Sequence, residues 1–195
     1  SAAPPSPAPT TSSPVSSSFI FVHRFFKFCT IDSVELCRRL HSLGYATHTL
    51  TRLRSMTLKE RESTSMLDTL THLLNNYFGC HEDLIAIGLV EFCMANAKKS
   101  ADCIALLSNF AYKEASRPSL RTKGATAALL PLAKAGHPLA AIAIANLCTD
   151  DDPGVAATEK LVKVILKIVE STIENKAIFS STFTRWQMIM SLSNL

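Results

Sequence analysis

Glycine and two of the aromatic residues are scarce in this chain of 195 residues. It contains six glycines, three tyrosines and one tryptophan. So few glycines argue against a turn-rich β protein and against the glycine-lined loops that bind phosphate. The motifs GxSxG, GxxxxGK[ST], GxGxxG and HExxH are all absent. With no pair of carboxylates or other catalytic constellation to replace them, we predict that the protein is not an enzyme.

Metal-site spacing is also missing from the cysteines and histidines. No CxxC pair occurs, and no cysteine stands at zinc spacing from a histidine. Several cysteines lie among aliphatic residues, where a free thiol behaves as a small buried hydrophobe. We therefore expect reduced thiols, no metal and no cofactor. The acidic run Asp150–Asp152 is interpreted as a solvated loop.

Long apolar runs and dense charge are lacking too. The longest apolar candidate, Leu84–Ala97, carries Glu91 and Asn96 and is shorter than the roughly 18 residues that a membrane span needs. The net charge of +4 comes from residues 1–62, which hold eight Lys/Arg and four Asp/Glu. That bias is too sparse to predict a nucleic-acid interface. We expect no membrane partner and a cytoplasmic protein, with organellar targeting as the alternative because residues 1–31 contain no acid.

What the chain does contain is aliphatic sequence that favours helices. Apolar residues make up 47% of it, with a mean hydropathy of +0.18. We predict three regions. Residues 1–18, mostly Ser, Pro, Ala and Thr, form a disordered tail. Residues 19–56 form a helical cap, which begins with five phenylalanines between Phe19 and Phe28. Residues 57–195 form a repeat domain.

Start and stop signals place helices along the two later regions. Asp32 with Glu35 fits a capping box, and Gly44 fits a helix stop. Further signals predict helical runs over Thr57–Phe78, over His81–Ala97, from Ser100 onward and, as one amphipathic helix, over Pro153–Asn175.

A short motif recurs at the ends of three of these runs. It reads LLSNFA (Leu106–Ala111), AIANLC (Ala143–Cys148) and MSLSNL (Met190–Leu195). The asparagines Asn109, Asn146 and Asn194 are 37 and 48 residues apart. A recurrence at about 40–47 residues is typical of stacked helical repeats.

The segment Ser108–Cys148 resembles one armadillo repeat from end to end. Arg117 and Leu120 stand where that family has an arginine and an isoleucine before the bend. Gly124-Ala125 match its glycine-alanine turn, and Gly136-His137-Pro138 match its loop before the third helix. Two departures occur, since Ala127 replaces a proline and Pro131 falls inside the second helix, where it is expected to kink the axis.

The resemblance implies an all-α, right-handed α-solenoid of about three to four armadillo-like units, truncated at the C-terminus. In such proteins the third helices line a concave groove, and an asparagine near the end of each holds the main chain of an extended peptide. The resemblance thus places partner contacts at six residues: Asn109, Asn146, Asn194, Ala105, Ile142 and Met190. The last three stand where nuclear-import adaptors carry a tryptophan, so we do not expect recognition of basic localisation signals.

The expected function is that of a scaffold that binds an extended segment of a protein partner. Two alternatives remain open at this point. The chain could be a structural subunit of a larger ribosomal, ciliary or cytoskeletal complex, or a helical repeat protein that binds RNA. The asparagines could also simply satisfy carbonyl groups at helix ends.

Overall fold

Helices account for the regular structure of the part of the chain that can be described. The structure is a computed structural model and describes residues 15–58, 61–148 and 159–173. Eleven α-helices and no strand occur in these ranges, which confirms the prediction of an all-α protein there. Two of the predicted contact residues, Met190 and Asn194, lie outside the described residues.

Nine of the helices form three successive groups of three. They follow α1 (Val15–Thr30) and precede α11 (Glu159–Ile173). The first unit contains α2 (Val34–Ser42), α3 (Tyr45–Arg54) and α4 (Arg61–Asn76). The second contains α5 (His81–Ala86), α6 (Leu89–Asn96) and α7 (Ala101–Tyr112), and the third contains α8 (Arg117–Thr122), α9 (Ala125–Lys134) and α10 (Pro138–Leu147).

A glycine joins the first helix to the second in every unit. Gly44, Gly88 and Gly124 have φ angles of 73°, 87° and 84°. This left-handed conformation is unfavourable for residues with a Cβ atom and ordinary for glycine. Only Gly124 lies in the segment that resembles an armadillo repeat, so the other two glycines extend the same local geometry to both preceding units.

The third helices of the units contact one another in chain order. Helix α4 packs on α1 and α7, and α7 packs on α4 and α10. Their apolar residues form one continuous core, with Leu70, Leu107, Phe110 and Ile144 all fully buried. Neither α7 nor α10 has a continuous polar face that is exposed to solvent. Each unit therefore buries the apolar surface that its neighbour would otherwise expose.

Several local predictions are confirmed and others are wrong. Ser100 caps α7 and accepts a hydrogen bond from the Cys103 amide, and α11 covers most of the predicted Pro153–Asn175 helix. The cap of α2 is Ser33, not Asp32, because the Ser33 hydroxyl accepts from the Leu36 amide. The run His81–Ala97 is two helices, divided at Gly88.

A further correction concerns the start of α1, whereas the predicted position of Pro131 inside its helix is confirmed. Helix α1 begins at Val15, so the last four residues assigned to the tail are helical. Helix α9 continues through Pro131, and its C-terminal turn is closed by the Ala135 amide, which donates to the Pro131 carbonyl at 3.0 Å. In the described ranges, none of the helices is both long and apolar enough to cross a bilayer.

A buried histidine ties the second unit to the first and the third. Nε2 of His81 donates to the Leu74 carbonyl of α4 at 2.8 Å, and Nδ1 accepts from the Ser116 hydroxyl at 3.2 Å. Burial lowers the pKa of His81 below its ordinary value near 6.5. Burial also lowers the pKa values of His23, His72 and His137.

Because the pKa values of these histidines are lowered by folding, we expect the folded protein to lose stability in mild acid. The unfolded chain binds protons near pH 6.5, whereas the folded chain binds them only at lower pH, so folding is most favourable above pH 6.5 and weakens as the pH falls. We expect the Tm to decrease between pH 7 and pH 5. His81→Gln should flatten that slope, and His48→Gln, at an exposed position of α3, is the control. Equal slopes in wild type and His81→Gln would contradict the assignment.

Candidate binding groove

A polar groove lies where α1, α4, α7 and the start of α10 meet. It has a volume of about 380 Å³. Helix α4 supplies one face of it, with residues spaced by one or two turns, and α7 supplies its first turn. The residues that line the groove are Lys27, Thr64, Asp68, Thr71, His72, Asn75, Ala101, Asp102, Ala105 and Leu139.

The charges of the groove do not cancel. Nζ of Lys27 lies 2.5 Å from Oδ2 of Asp68, so these two neutralise each other. Asp102 forms no ion pair with any described residue. Burial raises the pKa of Asp102 and the charge of Asp68 raises it further, whereas a hydrogen bond from Thr64 and the charge of Lys27 oppose the change. The groove therefore holds a partly buried carboxylate that forms no ion pair with a described residue and lies close to the Lys27–Asp68 pair.

Small and polar side chains give this groove its shape. Ala101 and Ala105 lie one turn apart on α7 and leave the space between α4 and α7 unfilled. Thr64, Thr71 and Asn75 line the opposite wall on α4. The Thr71 hydroxyl donates to the Leu67 carbonyl at 2.9 Å and can therefore only accept from a ligand, whereas the Asn75 amide can both donate and accept. Such a wall can pair with the main chain of an extended peptide.

Of the predicted contact residues, Ala105 lies in the groove and Asn109 lies one turn beyond it. Asn109 is only 1% exposed. Its Nδ2 donates to the Ala105 carbonyl at 3.0 Å, within the same helix. Its Oδ1 is buried and has no hydrogen-bond partner among the described residues. Because burying an unpaired amide oxygen costs free energy, Asn109 is a place where a hydrogen-bond donor would be stabilising.

Asn146 repeats this arrangement on α10. It is also 1% exposed, and its Nδ2 donates to the Ile142 carbonyl at 3.0 Å. Its Oδ1 accepts from Nη2 of Arg117 at 3.4 Å. Arg117 also donates to the Ala111 and Tyr112 carbonyls at the end of α7. Asn146 is thus part of a network that joins the second and third units.

Ile142 is covered by the last described helix. It is 2% exposed and packs with Ile168 of α11, flanked by Leu139 and Val164. Whereas Ala105 opens onto the groove, the equivalent position on α10 is closed by another segment of the same chain. The predicted peptide contacts at Asn109, Asn146 and Ile142 stay predictions, and each would require these side chains to become more exposed.

An equivalent asparagine on α4 was missed in the sequence. Nδ2 of Asn76 donates to the carbonyls of Thr30 and Ile31, at 2.7 and 2.8 Å, where α1 ends. Asn76 follows the groove residue His72 by one turn, as Asn109 follows Ala105. Asn76 stands 33 residues before Asn109, and this spacing could have indicated a further repeat. The residues before Asn76, however, do not match the LSN and IAN sequences of the later motifs.

No group of three or more potential metal ligands occurs among residues 15–58, 61–148 and 159–173. The comparisons with protein families, with curated proteins and with solved structures found no match to this chain. The resemblance to armadillo repeats accordingly remains a prediction, based on the residues of Ser108–Cys148.

Proposed function

We propose that the protein is a right-handed solenoid of armadillo-like repeats that binds an extended segment of a protein partner. The observation that carries the proposal is the groove between α4 and α7, with its polar wall, its small residues and its Asp102, which forms no ion pair with a described residue.

The contacts among the helices support the solenoid. Each of the three units contains two short helices, joined by a glycine with a left-handed backbone conformation, followed by a third helix that is longer or more buried. Helix α1 and the third helices α4, α7 and α10 contact one another in chain order, and the second helices α6 and α9 also contact each other. Units that stack in chain order build an extended surface along their third helices.

Charge defines the kind of segment that would fit. With the charges of Lys27 and Asp68 paired, Asp102 gives the groove a net negative charge. A lysine or arginine of the partner would form an ion pair with Asp102. The hydrogen bond between this cation and the Asp102 carboxylate would be stronger than usual because Asp102 is partly shielded from water. Thr64, Thr71 and Asn75 would hold the main chain on either side.

The test is to select peptides from a random-sequence library and measure their affinity for groove variants. We expect selected peptides to contain a basic residue. Asp102→Lys should weaken their binding by at least about tenfold, since a like charge replaces the favourable one. Glu82→Lys, at an exposed position of α5 outside the groove, should leave the affinity within about twofold.

A second variant tests the shape of the groove without changing its charge. Ala105→Trp would fill the space between α4 and α7, so it should abolish binding while the circular dichroism spectrum is retained. Ala127→Trp, at an exposed position of α9, is the matched control. Peptides that bind Asp102→Lys and Ala105→Trp as tightly as the wild type would overturn the proposed function.

A further inference from the structure

One cation of the groove belongs to the protein itself. Lys27 lies on α1, and its Nζ pairs with Oδ2 of Asp68 on α4. The two side chains are 35% and 29% exposed, so this ion pair is partly withdrawn from water and is screened less by salt than a fully exposed pair. Asp68 is therefore occupied by Lys27, although it lines the same groove as Asp102.

The position of Lys27 is fixed by the rest of α1. Before Lys27, Nδ1 of His23 lies 2.9 Å from the Tyr45 hydroxyl. After it, Thr30 is fully buried, and Nδ2 of Asn76 donates to the Thr30 carbonyl at 2.7 Å. Because these contacts lie on both sides of Lys27 along the helix, we expect α1 to remain packed on α4 when the Lys27 charge is removed.

The charges of the described residues that line the groove sum to −1 at neutral pH. Lys27 contributes one positive charge, and Asp68 and Asp102 contribute one negative charge each. His72 is uncharged there because burial lowers its pKa. Asp32 also acts on His72, but it is exposed and does not line the groove. One cation of a partner neutralises the groove, whereas a second would meet the charge of Lys27 and find Asp68 already paired.

From this arrangement we infer that Lys27 is a specificity-determining residue, which occupies the place of a second basic residue and limits the groove to partner segments with a single lysine or arginine. The inference rests on the proposed function, since it concerns the same groove. Specificity commonly depends on repulsion of the wrong ligand as well as on attraction of the right one. A like charge brought next to Lys27 in a partly buried groove supplies that repulsion.

A lysine scan of one peptide tests the inference. A library-selected peptide with one basic residue is compared, by isothermal titration calorimetry at fixed ionic strength, with derivatives in which each other position in turn is lysine. For the wild type, no derivative should bind more than about twofold more tightly than the parent peptide, because Lys27 repels the second cation. For Lys27→Met, at least one derivative should bind about tenfold more tightly than the parent, because Asp68 is then free to accept it.

Four further variants assign the effect to the charge of Lys27 and to Asp68. Lys27→Gln, with a polar side chain, should give the same gain as Lys27→Met. Lys27→Arg keeps the cation and should behave as the wild type does. Arg24→Met is the matched control, because it removes an exposed cation of α1 that does not line the groove. In Lys27→Met/Asp68→Asn the gain should disappear, since the freed carboxylate is lost.

The outcomes separate this inference from the proposed function. If each added lysine changed the affinity by the same factor in the wild type and in Lys27→Met, the inference would be overturned and the proposed function would stand. The same holds if peptides selected by the wild type regularly carried two basic residues, or if the gain persisted in Lys27→Met/Asp68→Asn. A wild type that selects no peptide at all would overturn the proposed function and this inference with it.

Discussion

Phe110→Ala is expected to lower the free energy of unfolding by about 3–5 kcal/mol. Phe110 is fully buried in α7, the helix that contacts α4, α6, α8 and α10. Its ring meets the His81 ring edge-on at 6.1 Å. Since three units surround this position, the cavity left by the ring can collapse only in part. Urea unfolding followed by circular dichroism measures the loss.

Phe78→Ala is the matched control, because it removes the same side chain at a position that is 67% exposed. The Lys113 ammonium lies 3.9 Å from the centre of the Phe78 ring, so a loss of up to about 1 kcal/mol is expected there. If Phe110→Ala cost no more than Phe78→Ala, the ring would not be enclosed as described, and the stacking of the three units around α7 would be wrong.

Arg117→Met is expected to cost about 1.5–3 kcal/mol, the range for a hydrogen bond to a charged group. Nε of Arg117 donates to the Ala111 carbonyl at 3.0 Å, and Nη2 lies 3.4 Å from both the Tyr112 carbonyl and Oδ1 of Asn146. Methionine keeps much of the side-chain volume but supplies no donor. The carbonyls that end α7 would then lose their partner in a partly buried place.

Arg38→Met is the control for this substitution. Arg38 is exposed, and among the described residues it pairs with Glu35 at 2.8 Å, so its removal should change the free energy of unfolding by about 0.5 kcal/mol or less. Arg117→Lys should fall between the two, because lysine keeps the charge but cannot present two donors in one plane. If Arg117→Met were as stable as Arg38→Met, the network that joins α7, α8 and α10 would contribute nothing.

Many turns and helix ends could be predicted from the sequence, because they depend on single residues and their immediate neighbours. Gly44, Gly124 and Gly136 mark turns because their left-handed φ angles favour glycine, and Ser100 marks a helix start because its hydroxyl replaces a missing backbone acceptor. Gly88 was placed inside a helix because its neighbours are apolar at helical spacing. Its φ of 87° separates α5 from α6, which periodicity alone could not indicate.

The groove could be predicted only in part. Ala105 was found through its spacing from Asn109, but Asp68, His72 and Asp102 resemble any polar helix surface until the neighbouring helices are known. The burial of Ile142 could not be foreseen either, because it depends on where α11 packs after an intervening segment. Which residues share a helix face is local information, whereas which helix covers that face is a property of the whole chain.

The most direct measurement of the central claim is a map of backbone amide chemical-shift changes when a library-selected peptide is added to the protein. The groove account predicts that the largest changes cluster on α4 between Thr64 and Asn75 and at Ala101–Ala105 of α7, with α3, α6 and α9 unaffected. Changes that cluster instead on the second helices, or on the exposed residues Phe21, Phe25 and Phe28 of α1, would contradict it.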